Sequence, residues 1–437
     1  MKIHNWSKYP VVDVNYSSFD LPKEISLDAE QIARGMGRCY GDSSLNGKVI
    51  SSLKHNKALA FDKGNGIFTC QAGMTIDQVL QVIVPQGWFV PVTPGTKFIT
   101  IGGAIASDVH GKNHHYEGSF GHHVISFEML LAKGEIITVT PQNKELFETT
   151  CGGMGLTGVI LQATFKLKKI ESSYIKQRSI KVKNLDEMIS LFEENKDTTY
   201  SVSWIDCLQK GKHKGRGLLN LGEHANLEQL DEKQKVSPLI THPDSKTAFP
   251  IDLPSFAINK LTVKAFNFAY YHKQQQKIKE FISHYEPFFY PLDAILEWNK
   301  VYGKNGFLQY QFVLPLETSR EGLDVILDKI RDFGMSSPLV VLKLFGKQND
   351  FISFPMEGYT LALDFPIKKG LFEFLDELDV IVHDLGGRLY LTKDARMTAA
   401  TFLKGYSNAE EFIQRIGKYN PDYTFQSLQS KRLNITK

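Results

Sequence analysis

Three glycines and two arginines within one short stretch are the clearest chemical signal in this sequence. Residues 33–43 read ARGMGRCYGDS and place Gly35, Gly37 and Gly41 beside Arg34 and Arg38. Glycine destabilises a helix and adopts backbone conformations that other residues avoid. A loop of this composition can present its backbone N–H groups to an anion such as a phosphate. The stretch therefore predicts an anion-binding loop, and a plain glycine-rich turn is the alternative.

The spacing of these glycines differs from the G-x-G-x-x-G fingerprint of dinucleotide-binding βαβ units. Counted from Gly35, the last position of that fingerprint falls on Tyr40. The fingerprint also requires a helix directly after the loop. Here the residues Lys48–Leu53 predict a strand instead. The loop is therefore expected to bind phosphate in another kind of fold.

Two further glycine-containing stretches follow the first one. Residues 94–115 read PGTKFITIGGAIASDVHGKNHH, and residues 151–158 read CGGMGLTG before the apolar strand predicted at Val159–Leu167. In this order, the three stretches resemble the FAD domain of the vanillyl-alcohol-oxidase-type flavoproteins. The resemblance implies an FAD-dependent oxidoreductase that acts on a CH–OH group.

Longer motifs narrow the resemblance to one branch of that superfamily. Six motifs resemble those of enzymes that oxidise the 2′-hydroxyl of polyprenylphosphoryl-β-D-ribose to the 2′-keto sugar. They are RGMGRCYGD, IGGAIASDVHGKNHH, FLQYQFV, KLFG, LDFPIK and GGRLYLTKD. This oxidation is the first half of an epimerisation to the arabinose form, so the implied partners are a polyprenyl-phosphate sugar and a short-chain reductase. A soluble sugar, alditol or aldonolactone oxidase of the same superfamily is the alternative.

The resemblance assigns FAD contacts to all three stretches and to one position near the C-terminus. They are Arg34, Gly35, Met36, Gly37, Arg38, Cys39, Tyr40, Gly41, Asp42, Ser43, Gly95, Thr100, Ile101, Gly102, Gly103, Ser107, Asp108, Val109, His110, Ile160 and Tyr390. Arg38 stands where many flavoproteins of this class carry the histidine that bonds covalently to the flavin. We therefore expect non-covalent FAD.

The resemblance also implies the residues that act on the substrate. Lys393, Tyr40 and His110 are expected to be catalytic, and Lys393 is expected to stabilise the reduced flavin and to orient the sugar hydroxyl. Expected substrate contacts are Lys112, Gln309, Gln311, Lys343, Thr360, Ala362 and Lys393. Gln309 and Gln311 alternate on one predicted strand and so share a face. The general base stays open.

The elements that must position these residues are short strands and helices without a repeating βαβ pattern. Predicted hairpins cover Ala58–Gly73 and Val124–Thr140, and a predicted helix begins at Thr75. Later strands are predicted at Tyr200–Asp206, Phe307–Pro315, Pro338–Phe345 and Gly358–Ile367, with helices at Glu321–Phe333 and Gly370–Leu385. We predict an α+β fold: an FAD-binding domain (1–172), a substrate domain with an antiparallel sheet flanked by helices (173–387), and a C-terminal segment (388–437) that, by the resemblance, returns to the first domain.

The segment Lys246–Phe281 combines many aromatic residues with many lysines. A helix with a solvated lysine face explains this composition. An interfacial segment, with aromatic side chains at the headgroup level and lysines toward anionic lipid, explains it equally well. Both interpretations suit a protein that takes a membrane lipid as its substrate.

Composition limits the other possibilities. The 437 residues carry a net charge of only +3, which argues against nucleic acid as the main partner. Four widely spaced cysteines, the lack of a signal-peptide-like N-terminus and the lack of an 18-residue apolar run predict a cytoplasmic protein, with contact at the inner membrane face at most. Five histidines between His110 and His123 lack the cysteine or carboxylate ligands of a metal site, so no metal is expected.

Overall fold

The computed structural model describes residues 1–243, 247–254, 256–334 and 337–437. Its strands in chain order are β1 (Lys2–His4), β2 (Val11–Asp13), β3 (Asn15–Ser18), β4 (Gln31–Arg34), β5 (Lys48–Ser51), β6 (Ala58–Asp62), β7 (Ile67–Gln71), β8 (Trp88–Phe89), β9 (Val124–Leu130), β10 (Ile136–Val139), β11 (Val159–Lys166), β12 (Lys168–Lys169), β13 (Tyr174–Val182), β14 (Tyr200–Ile205), β15 (Gly217–His224), β16 (Ile278–His284), β17 (Phe307–Pro315), β18 (Val340–Phe345), β19 (Gly358–Pro366) and β20 (Arg388–Leu389). Its helices are α1 (Ile76–Ile83), α2 (Ile101–Ala106), α3 (His114–Glu117), α4 (Lys144–Thr150), α5 (Leu185–Glu194), α6 (Glu232–Val236), α7 (Lys260–Lys273), α8 (Tyr285–Phe289), α9 (Leu316–Phe333), α10 (Leu371–Asp384), α11 (Ala399–Gly405), α12 (Ala409–Tyr419) and α13 (Leu428–Arg432).

A five-stranded antiparallel sheet forms the centre of the first part of the chain, in the order β10–β9–β11–β7–β6. It contains the two hairpins that the sequence predicts, β6–β7 and β9–β10. Helix α1 begins at Thr75, whose side chain accepts a hydrogen bond from the backbone N–H of Gln78. Such a cap stabilises a helix by about 1 kcal/mol. The predicted start of this helix is confirmed.

A smaller parallel sheet, in the order β3–β5–β4, lies beside the first one. The backbone of Ser52, which follows β5, donates a hydrogen bond to the carbonyl of Arg34 at the end of β4. The glycine-rich loop begins at the next residue. The small sheet therefore fixes the direction in which that loop leaves β4.

An eight-stranded antiparallel sheet forms the second part of the fold, in the order β16–β13–β15–β14–β18–β19–β17–β20. Residues such as Phe312, Leu342 and Leu361 point to one face of this sheet and are fully buried in a core shared with α5, α9 and α10. Because side chains alternate along a strand, Gln311, Val341 and Ala362 point to the other face. The α+β fold with an antiparallel sheet and flanking helices is confirmed.

The C-terminal segment connects the two parts of the fold. Strand β20 pairs with β17 at the edge of the large sheet. Farther along, Phe425 packs with Phe19 and Ile50 of the first part, and Arg432 forms an ion pair with Asp42 at 2.7 Å. These contacts support the return of the segment to the first domain, and the domain limits 1–172, 173–387 and 388–437 remain our proposal.

The aromatic and lysine-rich segment is only partly helical. Helix α7 covers Lys260–Lys273, and the chain then continues into the edge strand β16. Lys246, where the predicted segment begins, lies outside the described residues. Among the helices of the described chain, none combines the length and the apolar character that crossing a membrane requires.

Candidate active site

A cavity of about 680 Å³ lies between the glycine-rich loops of the first domain and the open face of the large sheet. This volume falls within the range of roughly 300–1,000 Å³ that is common for ligand sites. Gly35 and Gly103 line one end, and Gln311 and Lys343 line the wall formed by the sheet. The three motifs that the sequence singled out thus meet around a single space.

The first glycine-rich loop presents its backbone to this cavity. A Cβ atom at Gly35 would lie 2.2 Å from Oγ1 of Thr100, and Gly37 has a left-handed backbone with φ of +62°. Side chains at these two positions would therefore clash or strain the loop. In the described part of the chain, no residue accepts a hydrogen bond from the backbone N–H groups of Gly35–Cys39. Such a row of free donors suits an anionic ligand.

The second glycine-rich stretch forms the opposite side of this end of the cavity. Thr100 precedes helix α2 and accepts a hydrogen bond from the backbone N–H of Gly103 at 3.2 Å. A Cβ at Gly102 would approach Ala72 at 3.1 Å, so the glycine lets α2 pack against the chain that follows β7. Met154 and Ile160, from the third stretch and β11, complete the wall.

Most of the residues expected to contact FAD line the cavity. They are Arg34, Gly35, Met36, Gly37, Arg38, Cys39, Tyr40, Ser43, Gly95, Thr100, Gly102, Gly103, Ser107, Val109, His110, Ile160 and Tyr390. Four others support the walls from behind: Gly41, Asp42, Ile101 and Asp108.

The supporting role of these four residues follows from their contacts. Asp42 pairs with Arg432, and Asp108 accepts hydrogen bonds from the Ser119 hydroxyl and the Gly121 backbone. Ile101 is fully buried. A Cβ at Gly41 would lie 1.6 Å from the carbonyl oxygen of Asp394. These four residues hold the loops in place, and the neighbouring residues that line the cavity are the ones positioned to contact a ligand.

Three lysines, Lys112, Lys343 and Lys393, line the sheet end of the cavity. Burial lowers the pKa of Lys112 to about 7, of Lys343 to about 8 and of Lys393 to about 7. The positive charge of Lys343 lowers the pKa values of the other two further. Among the described residues, no carboxylate forms an ion pair with Lys112 or Lys343. This end of the cavity is therefore prepared for an anion.

Lys393 lies between an aromatic ring and a buried carboxylate. Its Nζ atom is 3.7 Å from the centre of the Tyr40 ring. The charge of Asp364 opposes the effect of burial and raises the pKa of Lys393. Asp364 accepts hydrogen bonds from Gln309 Nε2 at 2.6 Å and from the Tyr302 hydroxyl at 3.1 Å. Burial raises the pKa of Asp364 to about 6. These contacts fix the surroundings of Lys393 without closing it off from the cavity.

His110 is held in one tautomer by its neighbours. Gln311 Nε2 donates to Thr360 Oγ1 at 3.2 Å, and the Thr360 hydroxyl donates to the carbonyl of Phe312. The same Gln311 amide donates to His110 Nε2 at 3.2 Å. The proton of the neutral imidazole therefore resides on Nδ1. Burial lowers the pKa of His110 well below its usual value, and its Nδ1 atom has no partner among the described residues. The Nδ1 atom is buried, since the rings of Phe345, Phe354 and Tyr390 pack around the imidazole.

The residues expected to contact substrate also divide into those that line the cavity and one that supports its wall. Lys112, Gln309, Gln311, Lys343, Ala362 and Lys393 all line the cavity. Thr360 does not, because it lies behind Gln311 and holds the amide of that residue in place. Ala362 pairs with Gln311 on one side and with Val341 on the other, as the alternation along β19 predicts.

Several cavity residues were not expected from the sequence. Trp204, Phe266, Tyr270, Phe288 and Trp298 also line the cavity. Phe266 and Tyr270 belong to the segment that the sequence marked for its aromatic residues, but nothing in that pattern connected them with the cavity. Trp204 lies on a correctly predicted strand, β14. The packing of α7 against the sheet brings Phe266 and Tyr270 next to Trp204.

The other histidines between His110 and His123 contact protein groups. His114 contacts the Gln348 side chain, His115 contacts the carbonyl of Thr198 at 2.8 Å, His122 contacts Asp350 at 2.7 Å and His123 contacts the carbonyl of Glu117 at 3.0 Å. In the described chain, no three side chains of the histidine, cysteine, aspartate and glutamate types form a cluster suited to a metal.

These features fit a bound FAD. The free N–H groups of Gly35–Cys39 suit its pyrophosphate, and the ammonium of Lys393 suits the polar edge of a flavin. The glycines at 35 and 37 let the loop pack against Thr100 and Arg34, which keeps its backbone at the cavity wall.

Comparisons with known proteins agree with this geometry. A family model for an FAD binding domain matches residues 28–140. The chain is 40% identical over 411 residues to the decaprenylphosphoryl-β-D-ribose oxidase of Mycolicibacterium smegmatis, which covers 92% of this chain and 89% of that protein. It is 30% identical to an uncharacterized protein of Streptomyces coelicolor over 83% of this chain and 100% of that protein.

A shorter match covers only part of the chain. A putative D-arabinono-1,4-lactone oxidase of Neurospora crassa is 27% identical over 134 residues, 30% of this chain and 24% of that protein. The FAD cofactor and the oxidoreductase class expected from the sequence are confirmed. The chain belongs to the decaprenylphosphoryl-β-D-ribose oxidase family and is an FAD-dependent oxidoreductase.

Proposed function

We propose that this protein oxidises the 2′-hydroxyl of a polyprenylphosphoryl-β-D-ribose to the 2′-keto sugar. The observation that carries the proposal is the group of three cavity lysines, of which Lys112 and Lys343 have no carboxylate partner among the described residues. A buried ammonium group without a counterion favours an anionic ligand. The phosphodiester of the proposed substrate supplies that anion, whereas a free sugar or a lactone does not.

The chain's own residues bind and orient this substrate. Lys343 and Lys112 hold the phosphodiester, and Lys112 is itself held by the carbonyls of Phe288 and Phe289. Gln309 and Gln311 alternate on β17 and contact the ribose hydroxyls from the sheet. Asp364 and Thr360 fix the two amides from behind. The ribose is thereby placed between the sheet and the cofactor end of the cavity.

The chemical step needs few protein groups. FAD, when bound, supplies the hydride acceptor. Lys393 Nζ donates a hydrogen bond to the sugar hydroxyl and keeps positive charge next to the flavin site. His110 stays neutral and lines the cavity in the same region, with its ring held by the Gln311 amide.

Product analysis tests this proposal. Purified FAD-loaded protein is mixed without oxygen with farnesylphosphoryl-β-D-ribose, and flavin absorbance is followed. Borodeuteride then traps the product. We expect bleaching of the flavin and a mixture of ribo and arabino sugars that carry deuterium at C2′. Bleaching by an aldonolactone but not by the phosphoryl ribose would favour the soluble lactone oxidase and contradict the proposal.

We also propose that the protein works at the cytoplasmic face of the inner membrane and hands its product to a short-chain reductase. A 2′-keto sugar becomes the arabinose form only when a reductase delivers hydride to the opposite face of C2′. Contact with the membrane is supported by the surface of α7. There, Leu261 is 76% exposed and Phe268 is 59% exposed, next to the exposed Lys260, Lys264 and Lys273.

A further inference from the structure

The cavity extends well beyond the three lysines. Its residues on the sheet are Gln311 on β17, Ala362 on β19, Val341 on β18, Trp204 on β14, Asn220 on β15 and Gln177 on β13. These strands are consecutive neighbours, so the open face crosses six strands. At ~4.8 Å between strands, this is a groove of roughly 24 Å. A ribosyl phosphate at the lysines would occupy only one part of it.

The middle of this groove is apolar and aromatic. The Trp204 ring meets the Tyr270 ring edge to face, with centroids 4.8 Å apart, and Phe266 stacks on Tyr270 at 5.7 Å. The indole N–H of Trp204 donates to the carbonyl of Pro338 at 3.2 Å, so its polar atom is satisfied by the protein. Leu339 and Val341 continue the apolar lining toward Lys343. Such a surface binds hydrocarbon.

The groove opens at helix α7. Phe266 and Tyr270 line the cavity, yet they remain 47% and 38% exposed. On the same helix, Leu261 and Phe268 are exposed on the outside. Phe266 and Tyr270 therefore form an apolar rim where the aromatic middle of the groove meets solvent. A chain that is bound at one end by its phosphate can leave the protein past this rim.

Building on the proposed function, we propose that Trp204, Phe266 and Tyr270 form the subsite for the isoprenoid tail of the substrate. The phosphodiester sits at Lys343 and Lys112, and the first prenyl units lie over the sheet between Trp204 and α7. The rest of the tail leaves past Phe266 and Tyr270. Since the groove has a fixed length, affinity should rise with tail length while the groove fills and should then stay constant.

Calorimetry with a phosphodiester that lacks the sugar tests this subsite apart from catalysis. The probes are dimethyl phosphate, geranyl methyl phosphate and farnesyl methyl phosphate, titrated into the FAD-loaded protein. We expect affinity to increase along this series. The double variant F266A/Y270A should bind farnesyl methyl phosphate about tenfold more weakly and dimethyl phosphate with unchanged affinity.

F268A is the matched control, because Phe268 lies on the same helix but does not line the cavity. It should bind all three probes as the unmodified protein does. Equal affinity of F266A/Y270A and the unmodified protein for farnesyl methyl phosphate would overturn the proposal. So would an equal loss in F268A.

The result also separates this inference from the proposed function. If tail-dependent binding is found and depends on Phe266 and Tyr270, but farnesylphosphoryl ribose does not bleach the flavin, the subsite stands and the proposed reaction fails. If the flavin is bleached and binding does not depend on the tail, the reaction stands and the subsite fails.

Discussion

The Nζ atom of Lys393 lies 3.7 Å from the centre of the Tyr40 ring. This contact joins the glycine-rich loop near the N-terminus to a motif near the C-terminus. An ammonium over an aromatic face is stabilised by about 0.5–2 kcal/mol. The contact holds the charge of Lys393 in the cavity, where burial lowers its pKa to about 7. The lysine expected to be catalytic is therefore held in place at the cavity wall.

Replacing Lys393 by alanine should strongly slow reduction of the flavin by substrate while the fold and FAD binding remain intact. Loss of one preorganised donor typically lowers the rate by ~10²–10³. Stopped-flow absorbance with farnesylphosphoryl ribose measures this rate. Lys369→Ala is the control, because Lys369 is exposed and lies outside the cavity. A rate close to that of the unmodified protein would remove Lys393 from the mechanism.

The affinity for a phosphodiester should fall as the pH rises from 6 to 9. Lys112 and Lys343 have pKa values of about 7 and 8 in the free protein, and a bound anion raises them. At a pH between the pKa of a free lysine and its pKa in the complex, binding of the phosphodiester is accompanied by uptake of a proton. The affinity therefore falls as the pH rises and the lysines of the free protein lose their charge. A phosphodiester keeps one negative charge over this range, so the change comes from the cavity lysines, of which Lys393, with a pKa of about 7, is the third.

Calorimetry with farnesyl methyl phosphate at several pH values measures this dependence. In Lys343→Met, one of the titrating lysines is gone, so the affinity should be lower at pH 6 and its dependence on pH should be weaker. An affinity that is constant from pH 6 to 9 would show that the lysines do not carry the phosphodiester.

FAD should leave the protein on denaturation. Arg38 stands in place of the linking histidine, and its guanidinium lies 3.8 Å from the Trp6 ring, which keeps it beside the cavity. Acid precipitation followed by absorbance of the supernatant gives the released fraction. Yellow colour that stays with the precipitated chain would contradict this expectation.

Charge reversal on α7 should weaken binding to anionic vesicles. Each lysine near such a surface contributes about 1 kcal/mol, so K260E/K264E/K273E should bind at least about tenfold more weakly. Flotation with phosphatidylglycerol vesicles measures binding, and high salt should reduce it in the unmodified protein. The control, K63E/K133E/K169E, reverses three exposed lysines elsewhere. Equal binding of the two triple variants would rule out α7 as the contact surface.

Local patterns were sufficient for much of the fold. The capping residues Thr75 and Gln78, the hairpin turns and the alternation along β17 and β19 all act between near neighbours in the chain. Sequence motifs were likewise sufficient for the cofactor and for the lysines of the cavity. A backbone that must approach an anion requires glycine at fixed places, and this requirement is visible in the sequence itself.

Tertiary structure decided which of the predicted residues actually reach the cavity. Alternation placed Thr360 on the correct face, but only the packed sheet puts Gln311 in front of it. Asp42 lies within the glycine-rich motif, yet it pairs with Arg432 from the end of the chain. Trp204 and Tyr270 meet because α7 packs over β14. A strand's pattern defines its two faces, whereas what covers each face depends on segments distant in sequence, and that is set only by the packing of the whole chain.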